Sequence, residues 1–387
     1  MLTKESLRNA RALYPHTSQE KIYLNHAGTG PLSTRVVEAM TAHLNERSKG
    51  QLDSYPADIP MAADCRKLVG RLINAESPDR ITFQANTSDA INVVASGIPW
   101  KSGDRILLNT IEFPANVYPY LNLRQFGVEL DFVQAPSGII STEMIASAIT
   151  PRTRIVALSA VQFLSGHRAD LRAIGGLCRS RGVFFIVDGI QAVGAVDIDV
   201  QNMKIDALAA GSQKWQMGPH GTGFLYLTEA LQSTIHQRSL GWLSVRNPWE
   251  FYNYEQPLAS SARRYEGGSL NMPGLWGMRA ALETLLEFGM QNIEDQILHL
   301  SGLLWRGLAS IDGLTVITPA EREERAGIVT AQLPPGTNAE ALLGMLHRHN
   351  VMPALRERKI RYSPHFYCTE EEMATTVQLT REGLASP

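Results

Sequence analysis

Short apolar runs alternate with helical stretches from Arg80 to Leu227, and that alternation restricts the chain more than any other feature. The runs are RITFQ (80–84), DRILLN (104–109), VELDFV (128–133), RIVALSAV (154–161), VFFIVDG (183–189), DALAAGS (206–212) and GFLYL (223–227). Strands that are apolar almost throughout are buried on both faces, so the segments between them must supply the cover. The pattern predicts an α/β fold with a mostly parallel, seven-stranded sheet and helices on both sides. Ligands of such open sheets collect at the carboxyl ends of the strands. The polar residues that follow each run are therefore the functional candidates.

A chain of 387 residues exceeds what one compact core holds. The last third also changes character. LTVIT (314–318), GIVTAQL (327–333) and KIRYS (359–363) read as strands, whereas 338–349 and the stretch from Thr369 read as helices. Thr369 with Glu372 fits a capping box. The expected division is a large domain over 23–270 and a smaller α+β domain over 271–387, with 1–22 packing on the small domain or on a partner. A net charge of −2 creates no global field for nucleic acid or an anionic membrane. No apolar run approaches the roughly 20 residues needed to span a bilayer, and the first residues contain no signal-peptide core. Cys65, Cys178 and Cys368 are far apart and form no CxxC pair, which suits a reduced, cytoplasmic enzyme. His299, His347 and His349 have no metal-ligand spacing. GPHGTG (218–223) lacks the strand–glycine loop–helix order of a nucleotide site.

Four strand ends carry unusual groups. Thr87 or Ser88 is a plausible N-cap after the first run, and a helix start there suits a phosphate. Phe113 follows the second run and is able to cover an aromatic ring. Asp188 closes a strongly apolar strand, where a carboxylate is costly unless it is paired or functional. Lys214 follows the sixth run, where burial would lower its pKa and free the amine for a Schiff base.

VDGIQAVG (187–194) followed by AAGSQKWQMGPHGTGFLY (209–226) resembles the class V aminotransferase family of fold-type-I enzymes dependent on pyridoxal 5′-phosphate (PLP). That family includes cysteine desulfurases, kynureninases and isopenicillin-N-epimerase-like proteins. YLNHAGTGPLS (23–33), NTSDAIN (86–92), RRYEGGSLNMPG (263–274) and IRYSPHFYCTEEE (360–372) extend the resemblance over nearly the whole chain. It implies that Lys214 forms the Schiff base with PLP and then acts as acid and base at the substrate Cα. Asp188 pairs with the pyridinium nitrogen, Gln191 lies near the phenolic oxygen, and Phe113 stacks on the ring. Thr87, Ser88 and Gln213 contact the phosphate, and Ser269 reaches the phosphate of a neighbouring subunit, which implies a homodimer. Arg361 clamps the carboxylate of a small-molecule, amino-acid substrate, and Asn25 and His26 line the pocket. Trp215 and Trp242 are candidates for the pocket or for packing.

The departures narrow the reaction. Desulfurases of this family usually carry a histidine at the position of Phe113, and a nucleophilic cysteine on a loop before the carboxylate arginine. Here HNVMPALRERKIR (349–361) is short and has no cysteine. Where an asparagine often follows the strand, this chain has Gln162, a substitute polar contact near the ring. Gln213 replaces the histidine that often precedes the lysine. The resemblance therefore points to an aminotransferase or an isopenicillin-N-epimerase-like enzyme, with a C–S lyase or cysteine desulfurase as the alternative and a non-catalytic PLP-fold binding protein as the reading from another class.

Overall fold

The computed structural model describes residues 1–385. All seven apolar runs form strands: β1 (Ile81–Gln84), β2 (Arg105–Asn109), β3 (Glu129–Val133), β4 (Thr153–Ser159), β5 (Phe184–Asp188), β6 (Ala207–Gly211) and β7 (Gly223–Leu227). They make one sheet in the order β1-β7-β6-β5-β4-β2-β3. Only β7 runs against its neighbours. The segment 212–222 between β6 and β7 carries no helix, and a parallel return needs a crossover of about a dozen residues or more, usually helical. The chain turns back instead.

The sheet is buried on both sides, as its composition requires. Val156 and Leu158 of β4, Phe185 and Val187 of β5, and Leu208 and Ala210 of β6 enter one core. Ile155 and Ala157, Ile186, and Ala207 and Ala209 enter the core on the opposite face. This is the two-residue alternation of a strand with no polar side.

A second layer of helices follows. Met272–Phe288, capped by Asn271, packs against the helices Thr34–Lys49 and Tyr55–Leu72. Beyond it, β8 (Thr315–Val316), β9 (Val329–Gln332), β10 (Ala354–Arg356) and β11 (Lys359–Tyr362) form an antiparallel sheet in the order β10-β11-β9-β8. The helix Met290–Ala309 packs on that sheet and on Glu370–Ala385. The expected capping box is present: Thr369 N–H donates to Glu372 Oε2 at 2.9 Å and Glu372 N–H to Thr369 Oγ1 at 3.2 Å. β10, and a parallel ladder between Ile22–Tyr23 and Val351–Met352, fall outside the sequence expectation, because strands so short show no readable alternation. Near the amino terminus, Tyr14 stacks on Tyr367 with ring centroids 4.2 Å apart. Arg11 donates to the Tyr367 carbonyl at 3.0 Å and pairs with Glu372 at 2.8 Å. No helix among the described residues is long and apolar enough to cross a membrane.

Trp215 marks the junction of the two sheets. It is fully buried, and a Cβ on Gly327 would lie 2.3 Å from its Cη2. Gly327→Ala is therefore expected to overpack this junction and cost about 1–3 kcal/mol, read as a lower midpoint in chemical denaturation.

Candidate active site

Asp188 is the last residue of β5, and its neighbours in register are Ser159 of β4 and Ala209 of β6. It is 1% exposed. Its Oδ1 accepts the Ile190 N–H at 2.9 Å, while its buried Oδ2 has no hydrogen-bond partner. Burial pushes the carboxyl from 3.8 up to about 7. The Ile190 hydrogen bond opposes that rise, the charge of Glu112 adds to it, and Lys214 again opposes it. Lys214 follows the adjacent strand β6. Burial lowers its amine from 10.5 to about 8 despite the attraction of Asp188, and the cations of Arg361 and Arg356 lower it further. Its Nζ lies 5.5 Å from the centroid of the Phe113 ring, a cation–π distance when the amine is charged. Phe113 meets Phe163 edge to face, with centroids 5.3 Å apart.

Glu112 anchors this wall, and nothing in the sequence reading singles it out. Its carboxylate accepts from Asn109 Nδ2 (2.6 Å), Asn116 Nδ2 (3.1 Å), Gln162 Nε2 (3.0 Å), and both the backbone N–H (2.8 Å) and Oγ (2.5 Å) of Ser159. Neutral donors thus satisfy a buried charge without a cation. Gln162 is turned with its nitrogen toward Glu112, leaving Oε1 buried and unpartnered. The available signal was an acid closely following an apolar strand, the same one that singles out Asp188.

Arg361 approaches from β11. It is 2% exposed, and its Nη1 donates to the Phe163 carbonyl at 2.7 Å. Its Nε has no partner, and it forms no ion pair among the described residues. Burial, helped by Arg356, lowers its guanidinium from 12.5 to about 10. A buried cation without an acid suits an anion from outside the chain.

The helix after β1 spans Thr87–Gly97, but its N-cap is Asn86, whose side chain accepts the Asp89 N–H at 2.9 Å. This corrects the expectation of Thr87 or Ser88 as the cap. An amide oxygen caps as well as a hydroxyl, and the shift leaves Thr87 and Ser88 in the first turn. Thr87 Oγ1 accepts the Gly211 N–H at 3.0 Å, tying this helix start to the end of β6. Gln213 is half-buried, and its carbonyl accepts from Gly30 N–H at 2.7 Å and Thr29 Oγ1 at 3.2 Å. Ser269 is exposed, in a cavity of about 440 Å³ shared with Ala85, Asp89 and Gly221.

The remaining candidates are tied into the framework. Gln191 donates to the Ala27 carbonyl at 3.0 Å and accepts from Trp215 Nε1 at 2.8 Å. His365 Nε2 lies 2.9 Å from the Trp215 carbonyl, which fixes the peptide after Trp215. His26 is fully buried between Ser363 O (2.8 Å) and Tyr367 Oη (2.7 Å), and burial holds it well below 6.5. Both its ring nitrogens are occupied. Asn25 keeps a buried Oδ1 without a partner. Trp242 lies 5.7 Å from Trp249 on the surface. Cys65, Cys178 and Cys368 are free and buried; burial raises Cys65 and Cys178 to about 12 and Cys368 further. None presents a thiolate.

A family model described as Aminotransferase class-V matches residues 22–355. The chain belongs to that family. It is 29% identical to a probable cysteine desulfurase of Methanothermobacter thermautotrophicus, over 99% of this chain and 98% of the relative. It is 28% identical to the isopenicillin N epimerase of Streptomyces clavuligerus, over 91% of this chain and 92% of the relative. Among solved structures, it is similar to a mutant of C-DES with glycine covalently linked to the PLP cofactor: TM-score 0.87, 25% identity, covering 96% of this chain and 98% of that one. The cystine C–S lyase C-DES with its product cysteine persulfide gives a TM-score of 0.86 at 25% identity, over 95% of this chain and 99% of that one.

This class V chain is accordingly a PLP-dependent enzyme of fold type I, and its own residues fit the cofactor. The unpartnered Asp188 Oδ2 suits a cationic ring nitrogen, the amine of Lys214 is half neutral near pH 8, and the first turn after Asn86 offers free N–H groups to a phosphate. Reaction of the cofactor-free protein with PLP should accelerate with pH around a midpoint near 8 rather than 10.5. Only the neutral amine attacks, so a lowered pKa moves the midpoint down. Asp188→Asn removes the charge that holds the proton on Lys214 and should move it lower still. Stopped-flow absorbance across a pH series measures both.

Proposed function

We propose that this enzyme holds the α-carboxylate of an amino-acid substrate at Arg361 and moves the proton on its Cα with Lys214. The observation that carries this reading is the half-buried Lys214, whose amine feels the charge of the buried, half-satisfied carboxyl of Asp188, together with Arg361, which has no acid partner among the described residues. When bound, PLP supplies an electron sink for the pair left on Cα. Asp188 would keep a proton on the ring nitrogen. Thr87, Ser88 and Gln213 would hold the phosphate, and Phe113 would cover the ring. Gln162 offers its amide beside the ring, and Gln191 is fixed by Ala27 and Trp215 behind it. Asn25 lines the pocket, and His26 supports it from the framework. Phe113 has no proton to give, so Lys214 is the protein group that removes a proton and is able to return it.

The return site decides the outcome. Return by Lys214 toward bound PLP would give an aminotransferase, whereas return to the opposite face of Cα from a second donor, such as water, would give an isopenicillin-N-epimerase-like enzyme; these form the main reading. The C–S lyase or desulfurase reading is favoured by the relatives of those names. Because the three cysteines are buried and protonated, sulfur chemistry here would proceed by elimination within the substrate.

The domain assignment follows the same logic: 23–270 carries the cofactor, 271–387 brings Arg361, and 1–22 packs with the small domain. A homodimer is supported by an exposed aromatic stretch in which Trp249 is 50%, Phe251 61%, Tyr252 90% and Tyr254 84% exposed, because clustered exposed aromatics favour a protein partner. Ser269 would then serve the phosphate of the second copy. Unpaired cysteines suit a cytoplasmic setting.

Lys214→Ala should abolish borohydride-trappable cofactor and lower turnover by about 10²–10⁴-fold or more. Full activity in that variant would overturn the reading. Arg361→Ala should weaken substrate binding by about 10–100-fold while the cofactor colour persists. Keto acids, inverted amino acids, pyruvate and sulfide, scored across a substrate panel, separate the outcomes.

A further inference from the structure

Arg361 is one of several cations on its side of the small sheet. In the β10–β11 hairpin Ala354 stands opposite Arg361, Leu355 opposite Ile360, and Arg356 opposite Lys359. Directly opposed residues share a face. Leu355 and Ile360 therefore occupy one face, which packs into the hydrophobic core. Ala354, Arg356, Lys359 and Arg361 occupy the other. Thr330 of β9, opposite Arg361, shares that second face. Its hydroxyl donates to the Leu164 carbonyl at 2.6 Å, just as Arg361 donates to Phe163. The cationic face is thus the one turned toward Phe163, Phe113 and Lys214.

The turn between the strands fixes this register. Only Glu357 and Arg358 connect Arg356 to Lys359, with φ of 48° and 59°. Two-residue hairpins demand left-handed φ values and favour glycine or asparagine. Neither is used here, so the tight turn is held against side-chain sterics. The hairpin has no slack to swing Arg356 away from Arg361. Arg356 is exposed, and among the described residues the only hydrogen bond of its side chain is to the Leu355 carbonyl, at 2.7 Å. Among the described residues no acid pairs with Arg356, Lys359 or Arg361. The electrostatic reach agrees: Arg356 disfavours a proton on both Lys214 and Arg361.

We propose that the substrate is an acidic amino acid, with Arg361 taking its α-carboxylate and Arg356 the carboxylate on its side chain. This rests on the reading of Arg361 given above and adds Arg356 as the residue that determines specificity. A neutral side chain would leave Arg356 without a partner, whereas a second carboxylate gains a charge-assisted bond.

The test is a titration of the PLP-loaded protein with L-aspartate, L-glutamate, L-asparagine and L-glutamine, followed by cofactor absorbance, in wild type, Arg356→Gln and Arg356→Lys. At least one acid should bind about tenfold or more tightly than its amide. That ratio should fall toward one in Arg356→Gln and be largely restored in Arg356→Lys, with the melting temperature unchanged. Calorimetric titration with glutarate and valerate, neither of which has an amine to react, repeats the comparison without turnover; glutarate should bind more tightly, and Arg356→Gln should remove the difference. An acid-to-amide ratio near one in wild type, or a preference that survives in Arg356→Gln, overturns the proposal. Silence of the cofactor toward every amino acid overturns the functional reading instead, because the glutarate comparison is read independently of it.

Discussion

Two groups that resist burial in their charged forms stand at the ends of neighbouring strands, and each sustains the other. Alone in the interior, Asp188 would stay protonated and Lys214 would stay neutral. Together they sit near the point of exchange, the acid drawn up to about 7 and the amine down to about 8. A parallel sheet makes this arrangement possible. Its strands end on one side, buried by helices on both faces, so polar residues at the end of β5 and shortly after β6 meet in one desolvated region. The apolar cores on either side enforce the desolvation that shifts both groups.

A third charge tunes the first two. Glu112 is satisfied by five neutral donors, so its charge is undiminished by any cation and raises the proton affinity of Asp188. The same carboxylate sets the orientation of Gln162. Behind Lys214, the indole of Trp215 is held by Gln191 and its carbonyl by His365. The reactive amine therefore extends from a backbone fixed on both sheets. Precision of this kind comes from packing and hydrogen bonds around a site rather than from the reactive residues themselves.

Much of this was legible in the chain. Continuous apolar runs announce a sheet covered on both faces, and the seven strands fall within a residue or two of those runs. Asp188 and Lys214 stand out because each is a charged residue at the end of an apolar strand. Glu112 carries the same signal yet escapes notice beside Phe113, because its value lies in donors contributed by Asn109, Asn116, Ser159 and Gln162. Those come from two strands and their connections, and pairing across strands is invisible along one segment. Asn86 takes the cap from Thr87 because three adjacent residues all have capping side chains and only backbone geometry chooses among them. His26 and Gln191 show the opposite case. Their motifs are plain, but both are consumed by contacts to distant residues, Tyr367 and Trp215.

Chemistry common to the family and chemistry peculiar to this chain come from different parts of the fold. On the proposed reading the large sheet supplies acid, amine and phosphate cradle, which would serve any reaction that begins at Cα. What distinguishes outcomes enters from elsewhere. Phe113 has no proton to move, so the ring nearest Lys214 on that wall offers no acid or base. The buried cysteines remove a protein thiol from the list of nucleophiles. Above all, the stretch before Arg361 is a tight hairpin rather than a loop long enough to carry a mobile side chain into the pocket. A rigid strand can present only what its register allows, and here it presents arginine. Under the proposal, selection by this chain is exerted on the charge of the substrate, through a surface whose spacing the turn at Glu357 and Arg358 sets.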